Sequence, residues 1–290
     1  MSDRVAAVLV AYNVRDLTLQ CMRMLQDDGV ARIVVVDNQS HDGSAEAVRR
    51  AFPEVPVHET GANLGFGGGI NHGVARLPDD VEYVLVTTPD VEPELGSTKA
   101  LVDVLDTNPD VGLVAPRVET PERALYPSVR RFPNLADAVG HAFLHFLWPT
   151  NPFSRRYKML DWDHAVAADV DWVAGTHFLV RRTAWDAVGG FDESFFMFAE
   201  DVDLCWRLRD AGWRVRYEPT SVVVHLISKS ADQTPYRMIL AHHQSLYHFV
   251  DKTWQGRRRG LLPVVGAALA LRTGMAMVQR AVRGRPHAAP

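Results

Sequence analysis

Cysteine is scarce in this chain: of 290 residues, only Cys21 and Cys205 carry a thiol. Both lie in helix-like apolar patterns without metal-ligand spacing, which excludes a disulfide framework and a zinc cluster and points to a reducing compartment. An excess of charge is also missing. Lys plus Arg total 31 against 35 Asp plus Glu, a net charge of −4 with a pI near 6.3, so there is no global basic field for nucleic acid. Nucleic acid is not an expected partner. The chain has no internal repeat and no low-complexity segment. At its start, one basic residue precedes an apolar run that passes into polar sequence after Tyr12, so neither a signal peptide nor a membrane span is expected there and the protein is expected in the cytoplasm. Leu261 to Leu271 reads as too short for a bilayer, which needs about twenty apolar residues. The glycine-rich stretch Gly61 to Gly73 has no Lys-Ser/Thr pair after it and does not occupy the first β-α turn, so it is neither a Walker loop nor a dinucleotide fingerprint.

What the sequence does contain is an α/β pattern. With 47% hydrophobic and 23% charged residues, it has the composition of a soluble protein with a large core. Val5 to Ala11 is continuously apolar, as expected of a strand buried on both faces of a parallel sheet. Leu17, Cys21, Met24 and Leu25 follow at helical spacing, and Ile33 to Val36 is a second buried strand, completing a β-α-β unit. Ligands of open α/β sheets bind beyond the carboxyl ends of the strands, so Asp37 stands where a nucleobase or ribose can be held. The alternative for Asp37 is a turn or cap, a role that Ser40 or Asp42 fits better. Val55 to His58 is a short strand, and the glycines after it would let backbone amides approach an anion at a helix N-terminus. Val81 to Thr87 leads to Asp90 on the same edge as Asp37, where Mg2+ or Mn2+ holding a diphosphate is expected. Leu101 to Leu105 is helical and Val111 to Ala115 is a strand. Beyond Arg117, Pro121, Pro127, Pro133, Pro149 and Pro152 break the pattern around an apolar helical stretch, Ala138 to Trp148, which reads as a flexible cover over the site.

The densest motifs run from Trp172 to His225. Phe198 to Trp213 is expected to be helical, with Leu204, Cys205 and Leu208 on an inward stripe behind Asp201 and Gly212 as the stop. In the first turn the helix dipole favours the ionised carboxylate, which suits Asp201 to a general base. Glu200 is its acidic neighbour, and Asp203 with Arg207 reads as a solvated i,i+4 pair. Phe195-Phe196-Met197-Phe198 is too apolar for an exposed helix entry and is expected to wall a cleft. Tyr217-Glu218-Pro219 reads as a turn before a strand, Ser221 to Val224, that delivers His225 to the end of the same sheet as Asp90, so that the two can share a metal. Trp172, before Val173-Ala174-Gly175-Thr176, suits either a sugar ring or the core. At the C-terminus a helical run, Leu261 to Val278, stands among Arg257, Arg258, Arg259, Arg272, Arg280, Arg283 and Arg285, as in a helix that lies on an anionic membrane surface. Gly284 to Pro290 is expected to fray.

Taken in order, these motifs resemble the family 2 glycosyltransferases, inverting enzymes of the GT-A fold, from Val5 to about His248. The resemblance is carried by Asp37-Asn38-Gln39-Ser40, Asn63-Leu64-Gly65-Phe66-Gly67, Pro89-Asp90-Val91, Gly189-Gly190-Phe191-Asp192-Glu193 and Glu200-Asp201-Val202-Asp203. A narrower set, Tyr126 to Arg130, Trp148 to Pro152, Val180-Arg181-Arg182 and Ala241 to Ser245, is similar to the actinobacterial rhamnosyltransferases that act on polyprenyl-diphosphate-linked N-acetylglucosamine. The resemblance implies a Rossmann-like, mostly parallel sheet flanked by helices. It implies a domain over residues 1–250, with a nucleotide-sugar half (1–116) and an acceptor half (117–250), and a basic amphipathic extension over 251–290. It further implies Asp37 on the nucleobase, Asn63 and Gly65 beside the donor, Asp90 on metal and diphosphate, His225 as a second metal ligand, and Asp201 as base, with Trp172, Gly175 and Glu200 near the sugars. The cofactor is a divalent cation, Mg2+ or Mn2+. The donor is dTDP-rhamnose or another nucleotide sugar, and the acceptor a polyprenyl-diphosphate-linked sugar. The protein is expected on the inner face of the cell membrane, with a homodimer through the C-terminal helices as a further expectation. The family's metal motif often has two aspartates, whereas Glu92 stands at the second position here. Rival readings are a family 2 enzyme with a UDP-hexose donor or a polysaccharide acceptor, a sugar-nucleotide pyrophosphorylase, and a non-catalytic sugar-nucleotide sensor.

Overall fold

The first strand, β1 (Val5–Ala11), is buried along its whole length and shows why an uninterrupted apolar run belongs at the centre of a sheet. Ala6, Val8 and Val10 enter one core with Val34, Val36 and Ile70, while Val5, Ala7, Leu9 and Ala11 enter a second with Cys21, Met22 and Leu25. The strand still alternates, but both faces need apolar side chains. This computed structural model describes residues 3–132, 135–144, 148–226 and 235–283.

The remaining strands are β2 (Arg32–Asp37), β3 (Val57–Glu59), β4 (Tyr83–Thr87), β5 (Val91–Pro93), β6 (Val111–Glu119), β7 (Val129–Arg130), β8 (Ala168–Asp169), β9 (Trp172–Val173), β10 (His177–Arg181) and β11 (Arg214–His225). The main sheet has the order β3-β2-β1-β4-β10-β6-β11-β5, with β8 also on β11 and with β7 and β9 forming a separate pair. Strands β3, β2, β1 and β4 are parallel, as are β6 and β11. The sheet is mostly parallel, as expected, but the sequence pattern missed its central antiparallel member. Strand β10 runs backwards between β4 and β6. Because it starts at the edge where the parallel strands end, it brings Gly175 and Thr176 there, and Thr88 N–H donates to the Thr176 carbonyl at 2.9 Å.

Helices α1 (Arg15–Asp27), α2 (Ser44–Ala51) and α4 (Ser97–Thr107) cover one face; α3 (Gly65–Val74), α7 (Arg182–Val188) and α8 (Glu200–Asp210) cover the other. The turn expected at Tyr217-Glu218-Pro219 is absent. Strand β11 continues through it with a shift in pairing between Glu218 and Val222, which accommodates a proline with no N–H to give. The expected cover contains β7, α5 (Leu135–Leu144), α6 (Pro152–Tyr157) and β8; the end of the helical stretch expected over Ala138 to Trp148 falls partly outside the described residues.

The chain finishes with α9 (Pro235–Thr253), a 3-10 turn (Gly256–Leu261) and α10 (Leu262–Arg283), packed against α9. The expectation that the C-terminal apolar segment is too short for a bilayer does not hold. Residues Gly256–Val282 form one helical stretch long and apolar enough to cross a membrane by length and composition, because alanines, glycines and Thr273 extend the run past Arg272. Arg272 itself is turned to the protein and only 8% exposed, whereas Val264, Leu271, Met275, Val278 and Val282 face outward. The fraying expected of Gly284 to Pro290 lies outside the described residues.

Candidate active site

The loop before α8 begins at Gly189 and Gly190, both at positive φ, and is held by a reciprocal pair of hydrogen bonds. Phe191 N–H donates to Asn71 Oδ1 and Asn71 Nδ2 donates to the Phe191 carbonyl, both at 2.9 Å. Phe195 is buried, and Phe198 and Ala199 take the left-handed conformation at φ 68° and 63°, which costs on the order of 1 kcal/mol each for residues other than glycine. Helix α9 holds this strained entry. Ser245 Oγ donates to the Met197 carbonyl at 2.8 Å, Phe198 meets the His242 ring edge-on at 5.2 Å, and Lys252 reaches both Asp192 and Asp203 at 2.6 Å.

The consequence is the placement of two acidic side chains. Asp201 Oδ2 accepts the Gly175 N–H at 2.9 Å and Oδ1 accepts the Val202 N–H at 2.8 Å. Burial raises the Asp201 pKa, opposed by those two N–H groups and by the positive charge of Arg130. Glu200 is 6% exposed, and its Oε2 is buried without a partner among the described residues. Burial and the neighbouring Asp201 charge push its pKa up to about 8. Burial acts against the helix dipole at Asp201, and the two N–H donors act with it. Of the two, Asp201 has the N–H donors that favour the charged form, and Glu200 has the stronger tendency to keep a proton.

At the carboxyl edge of the sheet, Asp37 ends β2. Its Oδ1 accepts the Ser40 N–H at 2.8 Å, while Oδ2 is buried and lacks a donor among the described residues. A buried carboxylate oxygen with no donor calls for one from a ligand. Asp90, in the turn after β4, accepts the Thr88 hydroxyl at 2.6 Å, and His225 Nε2 lies 3.1 Å from Asp90 Oδ2. The imidazole and carboxylate give a divalent cation one nitrogen and one hard oxygen, and leave its other positions to water and phosphate oxygens, the usual habit of Mg2+ and Mn2+. No group of three His, Cys, Asp or Glu able to hold a metal occurs among the described residues. Glu92 accepts from Gln20 on α1.

Several expected site residues are employed otherwise. Both backbone groups of Gly65 are committed, its N–H to Asn63 Oδ1 at 3.0 Å and its carbonyl to Asn38 Nδ2 at 2.9 Å, and a Cβ there would lie 2.0 Å from the Phe196 carbonyl. Packing requires glycine at position 65, and Asn63 uses its oxygen to shape the turn. Two further glycines of α3 let the helix approach the sheet: a Cβ at Gly69 would meet Val10 at 2.9 Å, and one at Gly73 would meet Val8 at 2.4 Å. The helix expected to follow the glycine-rich stretch begins within it, at Gly65, and packs tightly on the sheet from Gly69 onward. Trp172 is 5% exposed and donates its indole N–H to the Arg131 carbonyl at 3.1 Å, which makes it core rather than a platform for sugar. Asp203 and Arg207 do pair, at 2.6 Å, but Asp203 is fully buried, because α9 covers that face with Lys252.

Sequence reasoning missed Asn38, which binds Asn63, Leu64 and Gly65 together; Asn71; and Arg130, 6% exposed, whose guanidinium carbon lies 5.0 Å from the Trp172 ring centre. Asn38 and Arg130 stand inside quoted motifs, so a signal was present. Asn71 and Lys252 had none, since their partners lie 120 and 60 residues away.

Comparison with known proteins adds the lineage. The profile described as "Glycosyl transferase family 2" matches residues 6–179, and that described as "Glycosyl transferase family group 2" matches residues 151–280. The chain is 36% identical over 261 residues, 87% of its own length and 84% of the relative's, to the N-acetylglucosaminyl-diphospho-decaprenol L-rhamnosyltransferase of Mycobacterium tuberculosis. It is 30% identical over 231 residues, 75% of this chain and 81% of the other, to the rhamnosyltransferase WbbL of Escherichia coli. Among solved structures, the mannosyltransferase PcManGT from Pyrobaculum calidifontis, in complex with GDP-Man and Mn2+, superposes with a TM-score of 0.60 at 18% identity, covering 98% of this chain and 77% of that one. The shared architecture is the GT-A fold.

Proposed function

The chain belongs to glycosyltransferase family 2, and from that premise we propose that it transfers L-rhamnose from dTDP-L-rhamnose to an N-acetylglucosaminyl-diphospho-polyprenol, inverting the anomeric configuration. The observation that carries the chemistry is the Asp201 carboxylate, held by two backbone N–H groups beside Glu200, whose pKa burial lifts to about 8. Asp201 takes the proton from the acceptor hydroxyl as that oxygen attacks the anomeric carbon. The bond to the nucleoside diphosphate breaks on the opposite face, so no enzyme nucleophile is needed. Asp37 offers its unpartnered oxygen to an N–H of the base, and this is the role we assign it in donor binding. Asp90 and His225 are the residues that would hold a divalent cation, and when bound it offsets the negative charge of the leaving diphosphate. The division at residue 116 between a donor half and an acceptor half remains part of this proposal, with His225 reaching the donor's cation from the acceptor half.

The lipid acceptor implies work at a membrane surface, and α10 supplies a face for it. Val264, Leu271, Met275, Val278 and Val282 are exposed on one side of the helix, with Arg257, Arg258 and Arg259 in the turn before it. We read this as peripheral attachment to the cytoplasmic leaflet, because Arg272 ties the other side of α10 to α9. Calorimetric titration with dTDP-rhamnose and with UDP-sugars, each with and without Mg2+ or Mn2+, tests the reading. Metal-dependent binding of dTDP-rhamnose alone is the expected result. Preference for a UDP-sugar would discard the rhamnosyl assignment and keep the fold and the base.

A further inference from the structure

The segment between β6 and β7 joins the two ends of the site. Tyr126 N–H donates to the Val118 carbonyl of β6 at 2.9 Å, and Ser128 N–H returns to the Tyr126 carbonyl at 2.8 Å. Ser128 in turn accepts the Ala174 N–H at 2.7 Å, and the next residue, Gly175, gives its N–H to Asp201. A short chain of hydrogen bonds thus runs from Tyr126 to the base. At the other end, the Tyr126 ring packs against the cluster of Val91, Val118 and Val223, of which Val91 follows Asp90 directly and Val223 lies on β11 just before His225. The ring also meets the His225 imidazole edge-on, with centres 5.4 Å apart and planes at 85°. Tyr126 is half-buried, and its hydroxyl makes no hydrogen bond among the described residues. The charges that bear on it are those of Arg130, Asp201 and Asp90.

We propose that Tyr126 is a contact for the transferred sugar of the donor, its hydroxyl bonding to that ring between the diphosphate at Asp90 and His225 and the base at Asp201. This deepens the function proposed above and rests on it. The place of the sugar follows from the chemistry. Its anomeric carbon is bonded to the diphosphate, and the oxygen that attacks that carbon gives its proton to Asp201, so the ring must lie between the two. A tyrosine suits the task because the apolar body is fixed from behind by valines while the polar tip stays free, and few rotamers are lost on binding. The nucleobase is not the better occupant. Asp37 ends β2, whereas Tyr126 is bonded to β6, and β1, β4 and β10 stand between those strands.

The test compares the full-length protein with Tyr126→Phe, which keeps the ring against His225 and removes only the hydroxyl. Calorimetry with Mn2+ measures the dissociation constants of dTDP and of dTDP-rhamnose for both proteins. Tyr126→Phe should weaken dTDP-rhamnose about tenfold and leave dTDP and the melting temperature unchanged. Equal loss for both ligands would put the hydroxyl on the diphosphate or make it structural, and no loss for either would leave it off the donor; each result overturns the proposal. A parent protein that prefers a UDP-sugar would refute the rhamnosyl assignment alone, and the same comparison between UDP and that UDP-sugar then decides for or against Tyr126. A parent that binds no nucleotide sugar would overturn both.

Discussion

Asp201 receives two backbone N–H groups while Glu200, one residue earlier, has a buried oxygen with no donor among the described residues, and that asymmetry favours the charge on Asp201. Asp201→Asn keeps the shape and removes the base. It should lower kcat by about 10²- to 10⁴-fold while donor affinity, read by calorimetry, stays unchanged; a sensor without catalysis would lose nothing. Glu200 gives a second test, through stability. Its ordinary pKa of 4.5 rises to about 8 in the folded protein, so the unfolded chain releases the proton first. No penalty exists below pH 4.5, and the folded state loses stability as pH climbs from there towards 8, at about 1.4 kcal/mol per unit of pKa shift. Glu200→Gln should flatten that slope in thermal melts between pH 5 and 8, and an unchanged slope would show that Glu200 is ionised in the fold.

At the scale of elements, α3 shows what glycine is for. A Cβ on Gly73 would lie 2.4 Å from Val8 Cγ1 and 3.0 Å from Val36 Cγ2, both in the central sheet. Gly73→Ala should therefore cost about 1–3 kcal/mol through overpacking, seen as a lower denaturant midpoint with an unchanged slope. Gly61→Ala, where nothing lies within 4 Å but φ is +71°, should cost about 1 kcal/mol for backbone reasons alone. That this stretch is special was legible in the sequence. Whether its glycines faced a ligand or a neighbouring strand was not, because both uses require the same missing side chain. The β-α-β start and α8 were legible too, from buried runs and from 3.6-residue spacing. Strand β10 was hidden, since its antiparallel course depends on a partner more than 80 residues away.

For the whole molecule, the end of the chain joins the catalytic loop to the outer surface. Helix α9 holds the 192–199 segment through Ser245 at Met197 and Lys252 at Asp192, and meets α10 through His243 and Arg272. The exposed apolar side of α10 should bind anionic vesicles. Leu271→Glu with Val278→Glu should reduce vesicle sedimentation about tenfold or more and leave the melting temperature and donor binding intact, because both side chains are over half exposed. If the variant instead changed from dimer to monomer in light scattering and still bound vesicles, α10 would be a subunit interface.

The sequence by itself determined the α/β class, the family, the edge of the sheet where Asp37 and Asp90 stand, and Asp201 as the base to test. These rest on local periodicity and on motifs whose residues lie close together in the chain. Only the tertiary structure decided that Trp172 is core, that Gly65 has no room for a side chain, that Asp203 is buried, and that burial lifts the Glu200 pKa. Each of these depends on which distant segments cover a side chain. Burial sets the energy of a charge in a protein, and it is a property of neighbours that sequence spacing does not record.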